Sequence, residues 1–322
     1  MSTPQFRKRW VALLPVTALL AGTLVWGTIW YPYRALAASG LGALTSSMLT
    51  YAVALVLAAA VFGRSAWVRL DLQLFALALS AGVTNVGFIW ATNSGIVLRV
   101  LLLFYLMPVW TVCWVFLLLG IAPGFRTLVF TSVALAGAAV MLWQPGIAFP
   151  LPSSKAEWAA VVAGMAFALS NVLIHRMTDY SAQNKSLWIL VGCTVLGAFG
   201  ATGEGAWRGP ILPENLALIA IIGVVLCAIN LVVQHGVERV SPERVPLIYL
   251  FELVVAAGSA WALVGEPVRL KEVAGGVLIL AASMMPARLA TARQLGGLVG
   301  PHPMPPDRLL AVAETMPHDV PR

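Results

Sequence analysis

One carboxylic acid, Glu252, stands in the interior of a long apolar run, residues 243–265. Counted from Glu243 it lies about nine residues, or roughly 14 Å at 1.5 Å per residue, into that run, near the middle of a hydrocarbon core about 30 Å thick. A carboxyl at such depth costs about 2.5 kcal/mol or more against lipid, so it must face a wet cavity or a partner. There it can contact a substrate or carry a proton; the other reading is a protonated or paired interior group with no part in a cycle. Arg99, about four residues into the run 95–120, either belongs to the same cavity or snorkels to the interface. The two runs correspond in the repeat described below, and Arg99 and Glu252 are roughly 10 Å apart along the axis. A pair meeting in one state and parting in another is therefore expected, and a zwitterionic substrate could replace both partners.

Other candidate residues are neutral. Tyr105 and Tyr249 sit in mid-run, where a phenol needs a hydrogen-bond partner and so faces the interior, lining a cavity or packing in the core. Pro108 and Pro246 each delete a backbone hydrogen bond and are candidate hinges, exposing carbonyls to substrate or simply kinking a helix. Asn85 and Asn230 are amides within apolar runs, serving as binding groups or as interhelical glue. Trp26 and Trp90 fall toward one membrane face, as vestibule lining or interface anchors, while Trp10, Trp67, Trp143, Trp158, Trp188 and Trp207 lie at run ends, as an aromatic belt requires.

Enzymatic chemistry has little support. His235 and Glu238 could share a helix face, but no third metal ligand is near in sequence. Ser259 lies toward the opposite end of its run from the level of His175 and His235, so no nucleophile and base are brought together. No glycine-rich phosphate loop is present. Cys113, Cys193 and Cys227 all fall within apolar runs, with no metal or disulfide spacing. No cofactor and no metal are expected.

The elements that must position these residues follow from composition. Of 322 residues, 60% are hydrophobic and 10% charged, which excludes an ordinary soluble domain. The apolar runs number ten, at approximately 11–31, 44–62, 72–92, 95–120, 127–144, 157–176, 186–203, 214–236, 243–265 and 272–288. Their length and uniformity demand helices, because backbone amides in hydrocarbon must be satisfied within each segment. The first run is too long for a secretory signal and is read as a span. Twelve Lys and Arg residues near the runs fall on one side against five on the other, placing both termini in the cytoplasm. The net charge of +7 is scattered and forms no basic stripe, so nucleic acid is not a partner. The expected fold is an all-α integral membrane protein of ten transmembrane helices.

Residues 21–34, AGTLVWGTIWYPYR, align without a gap to 163–176, AGMAFALSNVLIHR, at an offset of 142. Residues 105–123, YLMPVWTVCWVFLLLGIAP, align to 249–267, YLFELVVAAGSAWALVGEP, at an offset of 144. Two matches at nearly one offset indicate a duplicated unit of five spans, and an odd number of spans gives the copies inverted topology. Such repeats place a substrate site near the midplane between halves that rock. The organisation is a cytoplasmic N-terminus at 1–10, repeats at 11–144 and 157–288, and a proline-rich disordered tail at 291–322.

These features, with Trp26-Gly27, the basic Arg34, Pro108 in the fourth span and Leu263-Val264-Gly265-Glu266, resemble the EamA-type exporters of the drug/metabolite transporter superfamily. The likeness covers roughly 15–143 and 157–287. The chain departs from it at Ile121 and Ala122, where the second half keeps Gly265 and Glu266. The resemblance implies a multi-pass inner-membrane secondary transporter in the lipid bilayer, exporting small organic metabolites such as amino acids or hydrophobic amphiphiles, with protons as the candidate coupling ion. Uptake or exchange on the same fold, or a structural membrane protein, are the rivals. The cavity would be lined by the first, fourth, sixth and ninth spans.

Overall fold

The protein is known as a computed structural model, which describes residues 4–64, 67, 70–95, 97–143, 152–203, 213–265 and 268–284. The tail expected at 291–322, together with Pro150, Arg208 and Glu266, lies outside the described residues. All regular structure among the described residues is helical: α1 (Pro4–Ala38), α2 (Ala43–Phe62), α3 (Leu72–Ser94), α4 (Val97–Phe104), α5 (Met107–Leu119), α6 (Phe125–Leu142), α7 (Lys155–Arg176), α8 (Ala182–Ala201), α9 (Pro213–Val237), α10 (Val245–Tyr249), α11 (Phe251–Val264) and α12 (Leu270–Ser283). Nine segments among the described residues are long and apolar enough to cross a membrane, two of them composed of paired helices. The tenth expected span is represented by α12, whose apolar part is Val273–Ala282. The first helix begins at Pro4, within the stretch expected to precede the first span, and its 35 residues make it about 52 Å long.

The fourth and ninth apolar runs were expected as continuous spans, and both are broken. The break falls at Tyr105-Leu106 between α4 and α5, and at Leu250, directly after Tyr249, between α10 and α11. Pro108 accounts for the first: it lies in the first turn of α5, where a missing N–H costs nothing, and leaves the Phe104 carbonyl without its helical donor. Gly164 of α7 packs onto that carbonyl so closely that an added Cβ would come within 2.6 Å of it. Pro246 is placed differently from the mid-span hinge expected of it. It occupies the first turn of α10, three residues before Tyr249, and the interruption comes at Leu250.

Helix pairings occur in corresponding sets. α3 packs on α7 and α8, while α1 and α2 pack on α9; α4 and α5 pack on α7, while α10 and α11 pack on α1; α6 pairs with α12 and α2 with α8. Exchanging each span of the first five for its counterpart in the second converts each of these pairings into another of them, except α6 with α12 and α2 with α8, which map onto themselves. Small residues permit the close crossings, as membrane helices require in the absence of a hydrophobic drive between them. A Cβ on Gly192 of α8 would meet the Ala78 carbonyl of α3 at 1.9 Å, so this crossing admits glycine alone.

Candidate functional site

Glu252 occupies the first turn of α11, directly after the second break. The Tyr105 hydroxyl, delivered by the first break, lies in hydrogen-bonding reach of the Glu252 carboxyl and can donate to it. The two breaks thus present a phenol from one half of the chain to a carboxyl from the other. Behind Glu252, Gly27 of α1 lets the helices touch, since its Cβ would lie 3.0 Å from the Glu252 carbonyl. Glu252 keeps partial exposure although Tyr249, Leu250 and Leu253 beside it are buried.

Aromatic rings continue from this pair as a connected wall. Trp26 meets Tyr249 edge to face at 5.9 Å, Tyr249 meets Phe167 at 5.3 Å, Phe167 meets Phe104 at 5.9 Å, and Phe104 meets Tyr105 at 5.4 Å. Phe88 lies tilted against Phe104, with ring centroids 4.6 Å apart and 52° between the planes. Trp26, Phe88 and Phe167 retain partial exposure, whereas Phe104, Tyr105 and Tyr249 are buried. Spans one, three, four, six and nine all contribute. The phenylalanines were not singled out from sequence, because an aromatic ring in a uniformly apolar helix carries no polar signal of its position.

Arg99 does not join this group. Its guanidinium makes a two-pronged ion pair with Glu157 of α7, Nε to Oε1 at 2.8 Å and Nη2 to Oε2 at 3.0 Å. The Glu157 carboxylate also accepts from the Ser153 amide at 2.7 Å, while Ser154 caps α7 by accepting from the Glu157 amide. In this conformation Arg99 forms a short bridge between the starts of α4 and α7, away from Glu252. A signal for it existed in the sequence: Ser154-x-x-Glu157 is the capping-box pattern that fixes this carboxylate at a helix start.

The remaining expected residues fall elsewhere. Asn85 accepts from Ser47 at 2.8 Å and bonds the Tyr51 hydroxyl; nearby, Tyr33 bonds Thr50 at 2.6 Å, so α1, α2 and α3 are tied by neutral side chains. Asn230 of α9 has its Oδ1 buried without a protein partner among the described residues. Trp90 lines a crevice of about 470 Å³ with Asn93, Phe199 and Thr202 at the ends of α3 and α8. Ser259 donates to the Gly27 carbonyl at 2.8 Å and accepts from Trp30 at 3.0 Å, a junction between α11 and α1. Glu238 is ion-paired with Lys185 at 2.5 Å; the same ammonium, 2% exposed, donates to the Met177 carbonyl at 3.1 Å.

Residues 154–286 match the EamA-like transporter family. No curated protein matches the chain. Among solved structures, one protein crystal structure superposes with a TM-score of 0.67 at 14% identity, over 88% of this chain and 98% of its own, a likeness of fold.

Proposed function

From the match of residues 154–286 to the EamA-like transporter family, we propose that this chain is a secondary transporter of the drug/metabolite transporter superfamily that exports small organic molecules by alternating access. The match over residues 154–286 and the apolar helices support a multi-pass membrane transporter of small molecules. The finer reading is carried by one observation: Tyr105 and Glu252, from the two halves, meet where both halves break a helix. Broken helices at a junction between repeats are where transporters of this general design hold substrate. The reciprocal helix pairings support two inverted five-helix units that exchange roles as access alternates. Amino acids and hydrophobic amphiphiles are the substrate classes in view, the inner membrane is the site of action, and both termini are cytoplasmic. Glu252 is the group proposed to carry a coupling proton.

The test is growth of an overexpressing strain under toxic amounts of amino acids and amphiphiles. Export gives resistance, abolished by Glu252→Gln at equal membrane abundance. Heightened sensitivity would reverse the direction to uptake, and no phenotype with abundant folded protein would leave a structural membrane protein. Reporter fusions at both termini and after Pro150 should place the termini inside and Pro150 outside; termini on opposite sides would remove one span and undo the inverted repeat.

A further inference from the structure

We propose that the crevice between the ends of α3 and α8 holds a phospholipid of the ethanolamine type, with a primary ammonium in its headgroup. This goes beyond the transporter reading and needs only that the helices span a bilayer. The crevice has a volume of about 470 Å³. Its floor is apolar: Gly200 lies bare there, and a Cβ on it would come within 3.1 Å of the side chains of both Leu44 and Val86. Its flanks are aromatic and open, since Trp90 is 40% exposed and Phe199 is 70% exposed. Val86 lies eight residues before Ser94, or about 12 Å along α3, so the crevice runs from the helix end down to the depth of acyl chains. A chain laid on that floor gains by burial, and an indole beside it stands at the level where membrane interfaces favour tryptophan.

Charge selects the headgroup. No residue lining the crevice is charged, so the fixed dipoles of the helices set its potential. Asn93 and Ser94 are in the last turn of α3, and Phe199 and Gly200 are in the last turn of α8, so the negative ends of two helices lie side by side. Leu44 is in the first turn of α2, which brings one positive helix end to the same space. A zwitterionic headgroup matches this pattern, its ammonium toward α3 and α8 and its phosphate toward α2. An anionic headgroup has nothing to offer the two negative ends. The side chains narrow the choice further. The Asn93 amide donates to the Ile89 carbonyl at 2.8 Å and the Thr202 hydroxyl donates to the Phe199 carbonyl at 2.6 Å, so both present acceptor oxygens to the crevice. A primary ammonium has three N–H groups for such oxygens, whereas a trimethylated one has none. The exposed Trp90 ring adds the attraction of its face for a cation. Because α2 and α3 come from the first half and α8 from the second, a lipid seated here touches both halves and favours the arrangement in which they stand.

Three phospholipids with the same pair of oleoyl chains, bearing ethanolamine, choline or glycerol headgroups, separate the possibilities. Each is titrated into the full-length protein, stripped of lipid in detergent, and the bound molecules are counted by native mass spectrometry. One ethanolamine lipid is expected to be held at least fivefold more tightly than either of the others. Asn93→Leu combined with Thr202→Val keeps the shape of the crevice and removes both acceptor oxygens, so the ethanolamine advantage should vanish. Trp90→Leu should weaken binding severalfold, and Trp90→Phe should retain most of it. A choline lipid held as tightly would show that chains and rings suffice, and a glycerol lipid held as tightly would show that the helix ends do not set the sign; either result overturns the proposal. So does the absence of any retained lipid, or an ethanolamine advantage intact in the folded double variant, which would put the lipid elsewhere. If the double variant does not fold, the two Trp90 variants decide, and wild-type binding by Trp90→Leu overturns the proposal. None of these outcomes touches the transporter reading, which the growth screen tests separately.

Discussion

The fourth and ninth spans begin from the same design and end in different chemistry. Each breaks at a Tyr-Leu pair, Tyr105-Leu106 and Tyr249-Leu250, and each resumes two residues later as a helix of about four turns. In the second position of the resumed helix the first half has Pro108 and the second has Glu252, matched at the offset of 144. Proline there secures the break; glutamate at the corresponding position supplies an acid that meets Tyr105. The spans differ at their beginnings too. Arg99 corresponds to Glu243, and its partner Glu157 corresponds to Pro15 at the offset of 142, so the ion pair joining α4 to α7 has no charged equivalent where the ninth span meets α1. Where the ninth span and α9 border α1, contact is by apolar and glycine surfaces, such as Gly27 against Val255 and Gly236 against the Pro15 carbonyl, together with the uncharged hydrogen bonds of Ser259. The two spans share a frame, and a few differences at corresponding positions make it chemically one-sided.

Erasing that one-sidedness has the largest expected effect. Glu252→Pro copies the residue of the first half into the second at a helix position that accepts proline. Protein recovered in the membrane should stay within about twofold of wild type while transport falls at least a hundredfold, on the order of 3 kcal/mol or more in the transition state. Retained transport would show that the asymmetry at this position is incidental.

A smaller effect is expected at the other difference. Arg99→Ala and Glu157→Gln should each lower stability by about 2–3 kcal/mol, somewhat under the range for a fully buried pair because Arg99 remains 15% exposed. The double variant should be no worse than the worse single one. Thermal unfolding of the purified variants measures this, and additive losses would mean that the pair is a contact without coupling.

The slightest effect concerns Asp71, outside the spans. It caps α3 by accepting from the Leu74 amide and also accepts from the Tyr180 hydroxyl, and these bonds hold its carboxyl below the ordinary 3.8. A depressed carboxylate contributes stability above its unfolded pKa, and that contribution fades as pH falls through the lower folded value. Hydrogen exchange at the Leu74 amide should therefore quicken only below about pH 4. Tyr180→Phe should move the onset upward, and an unmoved onset would show that the cap acts alone.

Much of this arrangement was legible in the chain. Uniform apolar length fixes the spans because a bilayer admits few alternatives, and Glu252 was conspicuous because a lone acid in such a run needs a reason. The Tyr-Leu matches marked corresponding positions in the two spans, but the breaks that fall there were not read from them, and Pro246, read as a hinge, proved to start a helix. What could not be read was partnership across spans. Arg99 has two acids available in an axial estimate, and only the packing of α4 against α7, 58 residues away, selects Glu157. The aromatic wall was invisible for a related reason: Phe88, Phe104 and Phe167 differ from their apolar neighbours in shape and quadrupole, and hydropathy registers neither.

The bridge between Lys185 and Glu238 has a consequence in the order of synthesis. Lys185 leaves the ribosome 53 residues ahead of its partner, so at roughly 5–20 residues per second its ammonium is unpaired for several seconds. During that interval it is a full positive charge at the start of α8, available to orient that segment as it inserts. When α9 arrives, Glu238 and the end of α7 enclose it, and the charge that guided insertion is no longer accessible to the surface of the finished protein.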